Sequence, residues 1–356
     1  MAELVLVTGA SGYIALHIIR LLLKDGYRVR GTVRSLANKG KIAPIEALKE
    51  GISDASLELV EANLADASGW SKACEDCDFV LHTASPFPAE NPKHEDELIK
   101  PAVDGTLNVL RACGPSVRRV VLTSSIASIS SGHDTPPNGK AFTEHDWSKT
   151  ERLDFVYAKS KNLAERAAWD YMSAQRDGQR FDLSVINPAL VFGPLLSGAY
   201  SSSVEIAKRM LGREMPLLPR LNFNVVDVRD VAAAHVAAMK IPEAGGQRHI
   251  IGNRSMWLQE VARIMEAEFK PLGYNIPTSN APYPLLWLLG RFDSSVKMLL
   301  PAVGKAEEFD NSRMTQVLGI QPRQVEETIV DTCYSLIDRG LVKKTSKYNK
   351  RQATNL

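Results

Sequence analysis

The chain has few cysteines, almost no net charge and no long apolar run, and each scarcity removes a class of function. Four cysteines in 356 residues (Cys74, Cys77, Cys113 and Cys333) are too few and too scattered for a disulfide framework, and they fit a reducing compartment. Cys74 and Cys77 have the spacing of a redox or zinc half-site. No second pair accompanies them, and Glu75 and Asp76 between them disfavour a thiolate. The seven histidines show no ligand spacing, so no metal site is expected. A formal net charge of +2 gives no reason to expect nucleic acid or an anionic membrane as partner. The most apolar run, Tyr283–Leu289, is too short to span a bilayer. The first strand-like run begins at Glu3 with no cationic region or small-residue cleavage site before it, so a signal peptide is not expected and a cytoplasmic location is. There is no internal repeat. What remains is an ordinary globular composition, in a chain long enough for one large domain with appendages or for two lobes.

The hydrophobic pattern is more specific. Leu4–Val7 is continuously apolar and ends in Thr8-Gly9, as expected of a strand buried on both faces. Further strands are expected over residues 27–33, 57–61, 79–82, 119–123 and 183–186. Helices are expected over 14–23, 43–49, 95–113 (interrupted by Pro101 and Gly105) and about 152–175. Repeated βαβ units mean a parallel sheet with helices on both faces, so the fold class is α/β, a Rossmann-type doubly wound sheet. Past Asn187-Pro188 the pattern loosens. Helices are expected near 204–211, 228–239, 258–269 and 325–339, and the Pro-, Gly- and Leu-rich stretch 271–305 permits no assignment. The expected organisation is a cofactor domain over 1–190, to which about 222–252 returns, a smaller mixed α/β substrate lobe over 191–342, and a disordered basic tail over 343–356.

Three features carry chemistry. Tyr157 and Lys161 stand at i and i+4 of an expected helix, so phenol and ammonium share a face. A nearby ammonium favours phenolate, and a tyrosine tuned in that way can exchange a proton with a carbonyl or alcohol. The competing reading of such a pair is a solvated helix face. Second, the first strand runs into Gly9-Ala10-Ser11-Gly12-Tyr13-Ile14-Ala15 and then a helix. One glycine makes the tight turn, the second lets backbone amides approach a pyrophosphate, and small Ala15 allows close helix–strand packing. Third, the second strand ends at Arg34 with no acidic residue between Tyr27 and Ile45. An NAD site usually has an acid there for the ribose 2′-hydroxyl. Arg34 can instead stack on adenine or grip a 2′-phosphate, with Lys41 adding charge, so NADP(H) is the expected cofactor. The alternative is a solvated strand-end arginine.

Together these residues resemble the extended short-chain dehydrogenase/reductase superfamily, and within it the dihydroflavonol reductase, cinnamoyl-CoA reductase and fungal methylglyoxal/aldehyde reductase group. The resemblance covers nearly the whole chain. Thr8 to Ala15 is similar to that group's glycine-rich opening. Val80-Leu81-His82-Thr83-Ala84-Ser85-Pro86-Phe87 is close to its fourth-strand signature, and Pro101-Ala102-Val103-Asp104-Gly105-Thr106-Leu107-Asn108-Val109-Leu110 to its following helix. Val121-Leu122-Thr123-Ser124-Ser125, Tyr157-Ala158-Lys159-Ser160-Lys161, the Asn187-Pro188 turn through Gly193-Pro194, and Val226-Asp227-Val228-Arg229-Asp230-Val231-Ala232 follow in the same order. Two positions depart from the pattern. Many extended members have Asn, a proton-relay residue, where this chain has Ala102. The acid that often holds the adenine amino group is Asn63 here, whose amide oxygen can accept the same bond.

The resemblance implies roles. Tyr157 is the general acid in carbonyl reduction, Lys161 tunes it and binds the nicotinamide ribose, and Ser125 donates to the substrate oxygen, with Ser124 the alternative one residue earlier. Gly9, Ser11, Gly12, Tyr13, Ile14, Arg34, Lys41, Asn63, Leu64, Thr83, Ala84, Ser85, Thr123, Pro188 and Val191 are the expected further cofactor contacts. Phe87, Ile126, Phe192, Tyr200, Met215 and Phe223 are the expected pocket lining, suited to an uncharged carbonyl substrate. Asp227, Arg229 and Asp230 read as a helix cap with a structural ion pair. The expected activity is NADPH-dependent reduction of ketones or aldehydes by a monomer or homodimer. A hydroxysteroid dehydrogenase, a nucleotide-sugar epimerase or dehydratase, and a non-catalytic NADP(H)-binding protein are the alternatives.

Overall fold

The computed structural model describes residues 2–86, 94–153, 155–175 and 181–348. In chain order the elements are β1 (Leu4–Val7), α1 (Tyr13–Lys24), β2 (Arg28–Val33), α2 (Lys39–Glu46), β3 (Ser56–Glu61), α3 (Trp70–Cys74), β4 (Phe79–His82), α4 (Asp96–Ala112), β5 (Arg119–Thr123), α5 (Val156–Ser173) and β6 (Asp182–Pro188). They continue with β7 (Leu190–Phe192), α6 (Ser202–Leu211), β8 (Asn222–Asp227), α7 (Val228–Lys240), β9 (Arg248–Ile251), β10 (Arg254–Trp257), α8 (Leu258–Phe269), α9 (Tyr283–Leu289), α10 (Ser294–Leu299), α11 (Ser312–Gln316) and α12 (Val325–Asp338).

The chain divides into two compact units. The first comprises Met1–Pro188, Arg229–Ile251 and Asp310–Gln321. Its seven strands lie in the order β3-β2-β1-β4-β5-β6-β9, all parallel. The central strands β1, β4 and β5 are buried along their whole length, which is why they read as continuous apolar runs. The chain winds from β1 out to β3 and then returns across β1 to β4. The carboxyl ends of β1 and β4 therefore flank a reversal of strand order, where open α/β sheets bind ligands. One core of this unit packs Trp70, Cys74, Cys77 and Cys113 with Leu4, Val80 and Val120.

The second unit comprises Ala189–Val228, Gly252–Phe309 and Pro322–Leu356. It holds a small mixed sheet in the order β10-β8-β7, with β8 antiparallel to β10 and parallel to β7. Helix α12 packs on α6 and α8. Among the described residues no helix is long and apolar enough to cross a membrane.

Several elements differ from the sequence pattern. Helix α4 runs unbroken through Pro101 and Gly105. A Cβ on Gly105 would stand 2.9 Å from the Leu64 side chain, so that glycine answers a close approach and not a break. Strands β7 to β10 are three to six residues long, too short to show a period of two. The segment expected to return to the first unit, about 222–252, does so only from Arg229, since Asn222–Asp227 pairs inside the second unit. Disorder was expected from residue 343. Instead the Tyr274 hydroxyl donates to the Lys343 carbonyl at 3.1 Å and the Tyr348 hydroxyl to Asp338 at 3.0 Å, because the aromatic rings of Tyr274, Tyr334 and Tyr348 gather there. The rest of the tail lies outside the described residues.

Candidate active site

The cradle between β1 and α1 is built from the ends of three strands. Gly9 turns the chain with φ of +67°, and a Cβ there would stand 3.1 Å from the Ala84 main chain. Only glycine satisfies both conditions. The Thr32 hydroxyl on β2 accepts from the Gly9 amide at 2.9 Å, and the Thr32 carbonyl from the Ala10 amide at 2.8 Å. On the β4 side the Thr8 hydroxyl accepts from the Ala84 amide at 3.0 Å, the Thr83 hydroxyl donates to the Thr8 carbonyl at 2.6 Å, and Thr8 Oγ1 meets His82 Nδ1 at 2.8 Å. Helix α1 starts at Tyr13 with Gly12 as its cap, no side-chain cap bond and no acidic residue in its first turn. The positive end of its dipole is directed to where an anion would sit. Arg34 and Lys41 are exposed just beyond β2, and half-buried Ser11 and Ile14 bracket the turn. These residues fit a dinucleotide phosphate chain.

The second half of the site lies where β5 ends. Ser125 follows it in extended backbone, and Ile126 opens a 3-10 turn whose Ala127 amide donates to Ser125 Oγ at 3.1 Å. The Ser125 hydroxyl also lies near enough to the Tyr157 hydroxyl of α5 to pull that phenol down, against burial. Lys161, one turn further along α5, is buried and donates to the Thr123 carbonyl at 3.3 Å. The Lys161 bond to the Thr123 carbonyl and the approach of Ser125 to Tyr157 thus bring the three side chains together between α5 and the end of β5.

The electrostatics differ from the simple expectation. An ammonium at i+4 was expected to pull the Tyr157 phenol down, yet burial raises it above its usual value and outweighs the lowering by Ser125. Burial also brings the Lys161 ammonium down to about 8, against an upward pull from Glu165. Taking either group out of water disfavours its charged form. The phenol is consequently held protonated, the state a general acid requires.

Ser124 and Ser125 face different partners. Ser124 Oγ donates to Glu165 Oε2 at 2.5 Å, away from Tyr157. Neither Glu165 nor its partner Arg248 stood out in the sequence. Glu165 was findable, since it lies one turn after Lys161 on the same helical face. Arg248 lies on β9, a strand too short to be read.

The remaining expected residues fall in separate places. Pro188 is buried at the end of β6 in the first unit, and Val191 is buried in β7 of the second. Asn63 and half-buried Leu64 follow β3, and the Asn63 side-chain oxygen already accepts from the Ala65 amide at 3.2 Å. Thr83 and Ala84 are half-buried and Ser85 is exposed after β4. Ile126 is half-buried in the first unit, while Phe192, Tyr200, Met215 and Phe223 belong to the second. Phe192 is buried, 1% exposed. Phe87 lies outside the described residues. Asp227 is buried and accepts from the Thr328 hydroxyl at 2.8 Å. The Cys74 and Cys77 thiols are both buried, and burial pushes Cys77 up to about 12, which leaves it inert. Among the described residues no group of acids, histidines and cysteines could hold a metal ion.

The model of the NAD dependent epimerase/dehydratase family matches residues 5–252. The chain belongs to that family. Within it, the chain is 38% identical over 279 residues to a cinnamoyl-CoA reductase of Medicago truncatula, covering 76% of this chain and 82% of the relative. It is 32% identical over 355 residues to the NADPH-dependent methylglyoxal reductase of Saccharomyces cerevisiae, covering 94% and 98%. The crystal structure of the yeast methylglyoxal/isovaleraldehyde reductase complexed with NADPH superimposes with a TM-score of 0.76 at 31% identity, covering 96% of this chain and all of that one. The resemblance to the cinnamoyl-CoA and methylglyoxal reductase group thus rests on whole-chain similarity as well as on motifs.

Proposed function

We propose that this family member reduces the carbonyl group of a small to medium, apolar or aromatic aldehyde or ketone, with Tyr157 as the proton donor. The chain is an NADP-dependent oxidoreductase, and its cofactor is NADP(H). The observation that carries the proposal is buried Lys161 bonded to the Thr123 carbonyl at the end of β5, one helical turn from Tyr157 and beside Ser125, in the unit whose parallel sheet also builds the glycine cradle.

NADPH supplies the hydride when bound. Gly9, Gly12 and the first amides of α1 hold its phosphates, and Arg34 holds the 2′-phosphate. Ser125 donates to the substrate oxygen and stabilises the charge that gathers there. The neutral Tyr157 hydroxyl then gives its proton to that oxygen. Lys161, with its proton held only to about pH 8, stabilises the phenolate that results.

The test is NADPH consumption across diketones, aromatic aldehydes, dihydroflavonols and ketosteroids. Oxidation that depends on one of these classes is the expected result, and NADPH binding with no carbonyl consumed overturns the reading. The two serines give a sharper check. Ser125→Ala is expected to lower kcat about a hundredfold. Ser124→Ala removes a donor from Glu165, so its main effect is a loss of about 1–3 kcal/mol of stability. The opposite pattern in kcat and melting temperature would transfer the substrate contact to Ser124.

A further inference from the structure

Behind the reactive side chains lies a buried polar cluster that the proposed chemistry does not use. Glu165 is 1% exposed and is bonded on both oxygens. Oε2 accepts from Ser124 at 2.5 Å, Ser128 Oγ at 2.6 Å and Asn187 Nδ2 at 2.9 Å, and Oε1 accepts from Arg248 Nε at 2.5 Å and Trp169 Nε1 at 3.4 Å. Asn187 also donates to the Ser125 carbonyl at 3.2 Å, and the Ser128 hydroxyl, with one proton to share, stands 2.7 Å from the same carbonyl. Arg248 completes the cluster by donating to the Glu144 and Asp146 carbonyls and stacking 3.8 Å over the Trp147 ring. One carboxylate thereby ties α5 to the turn after β5, to β6 and to β9.

A cavity with about 10 Å³ of room for a water-molecule centre lies against the same groups. Its walls include Ala102, Thr106, Ser124, Lys161 and Glu165. That volume suits about one water. From α4 the cavity is lined by Ala102, which has no polar side chain, and by Thr106, whose hydroxyl donates to the Ala102 carbonyl.

We propose that Glu165 is a positioning residue of this site: it clamps the backbone that presents Ser125, and its carboxylate lines the same small cavity as the Lys161 ammonium. The proposal rests on the roles of Ser125, Tyr157 and Lys161 given above. The groups that face Lys161 are Tyr157 and Glu165 on α5, the Thr123 carbonyl at the end of β5, and His82 on β4, which burial and Lys161 together hold neutral, down to about 3. From α4 come only Ala102 and Thr106, and from β9 Arg248 acts through its pair with Glu165. Glu165 is therefore the one negative charge among them, and it raises Lys161 against burial.

The experiment measures NADPH affinity and turnover from pH 6 to 9.5 in the wild type, Glu165→Gln and the double variant Glu165→Gln/Arg248→Met. In the wild type both decline as pH rises through about 8, where Lys161 loses its proton. Without the carboxylate the decline begins at lower pH, and at pH 8 kcat falls about tenfold or more while KM for the carbonyl changes little. Glu165→Gln leaves Arg248 buried and unpaired and is expected to be the less stable variant. The double variant removes both charges, an exchange that buried pairs commonly tolerate. A merely structural role predicts that the double variant, once stable, recovers the wild-type pH profile, and that recovery overturns the proposal. NADPH affinity, read by fluorescence titration, follows the same ammonium without turnover. A failed carbonyl screen therefore refutes the reaction and leaves the Glu165 test standing.

Discussion

Tyr157→Phe is expected to lower kcat for carbonyl reduction by about 10²- to 10⁴-fold, the usual contribution of a positioned general acid, and to leave NADPH affinity unchanged. On the proposed reading the proton comes from the phenol, because the other groups nearby are less suited. Ser125 is a weak acid whose oxygen already accepts from the Ala127 amide. Lys161 points to the Thr123 carbonyl. Burial holds the phenol in its protonated form, so the wild-type enzyme stays competent as an acid across neutral pH and its alkaline limit falls to Lys161. Phenylalanine keeps the ring, its packing beside Phe155 and the course of α5, and removes only the hydroxyl. Steady-state kinetics with NADPH and an active carbonyl, beside a binding titration of the same variant, separate proton donation from cofactor binding. Turnover at the wild-type rate would mean that another group supplies the proton.

The sequence was most legible where burial and function agree. β1 is apolar throughout because both faces are covered, and Gly9, which follows it, is dictated by a positive φ and a main-chain contact that no other residue tolerates. Spacing alone brought Tyr157 and Lys161 to one helical face. What spacing could not supply was their environment. The expectation that Lys161 depresses the phenol assumed water around both groups, and desolvation reverses the outcome. Nor could local pattern show that Ser124 and Ser125 part company. That depends on Glu165, brought against Ser124 from 41 residues away. Arg248, which balances Glu165, comes from still further along the chain on a four-residue strand. The second unit was least legible, because its strands are short and α9 is apolar yet largely exposed, with Trp287 and Leu288 about half accessible.

Arg34→Ala is expected to weaken NADPH binding by about ten- to a hundredfold, the worth of losing one or two charge-assisted hydrogen bonds, with little change in the affinity for NADH. The argument is positional. Thr32 on β2 fixes the cradle with its hydroxyl and its carbonyl, and Arg34 stands two residues further along the same strand end. On the proposed reading, a phosphate chain seated on Gly9 and Gly12 would run its adenosine half past the end of β2, where Arg34 is exposed and the sequence has no acid for a 2′-hydroxyl. Competitive titration of both nucleotides against the variant gives the ratio directly. If Arg34 instead stacks on adenine, the two affinities fall together, since both cofactors have that base. Lys41 provides an internal control. It lies in the first turn of α2, whose Asn38 cap accepts from the Lys41 amide. As a flexible point charge it cannot fork onto a phosphate. Lys41→Ala should therefore cost less than Arg34→Ala and show its effect mainly at low salt, where a screened contact is strongest.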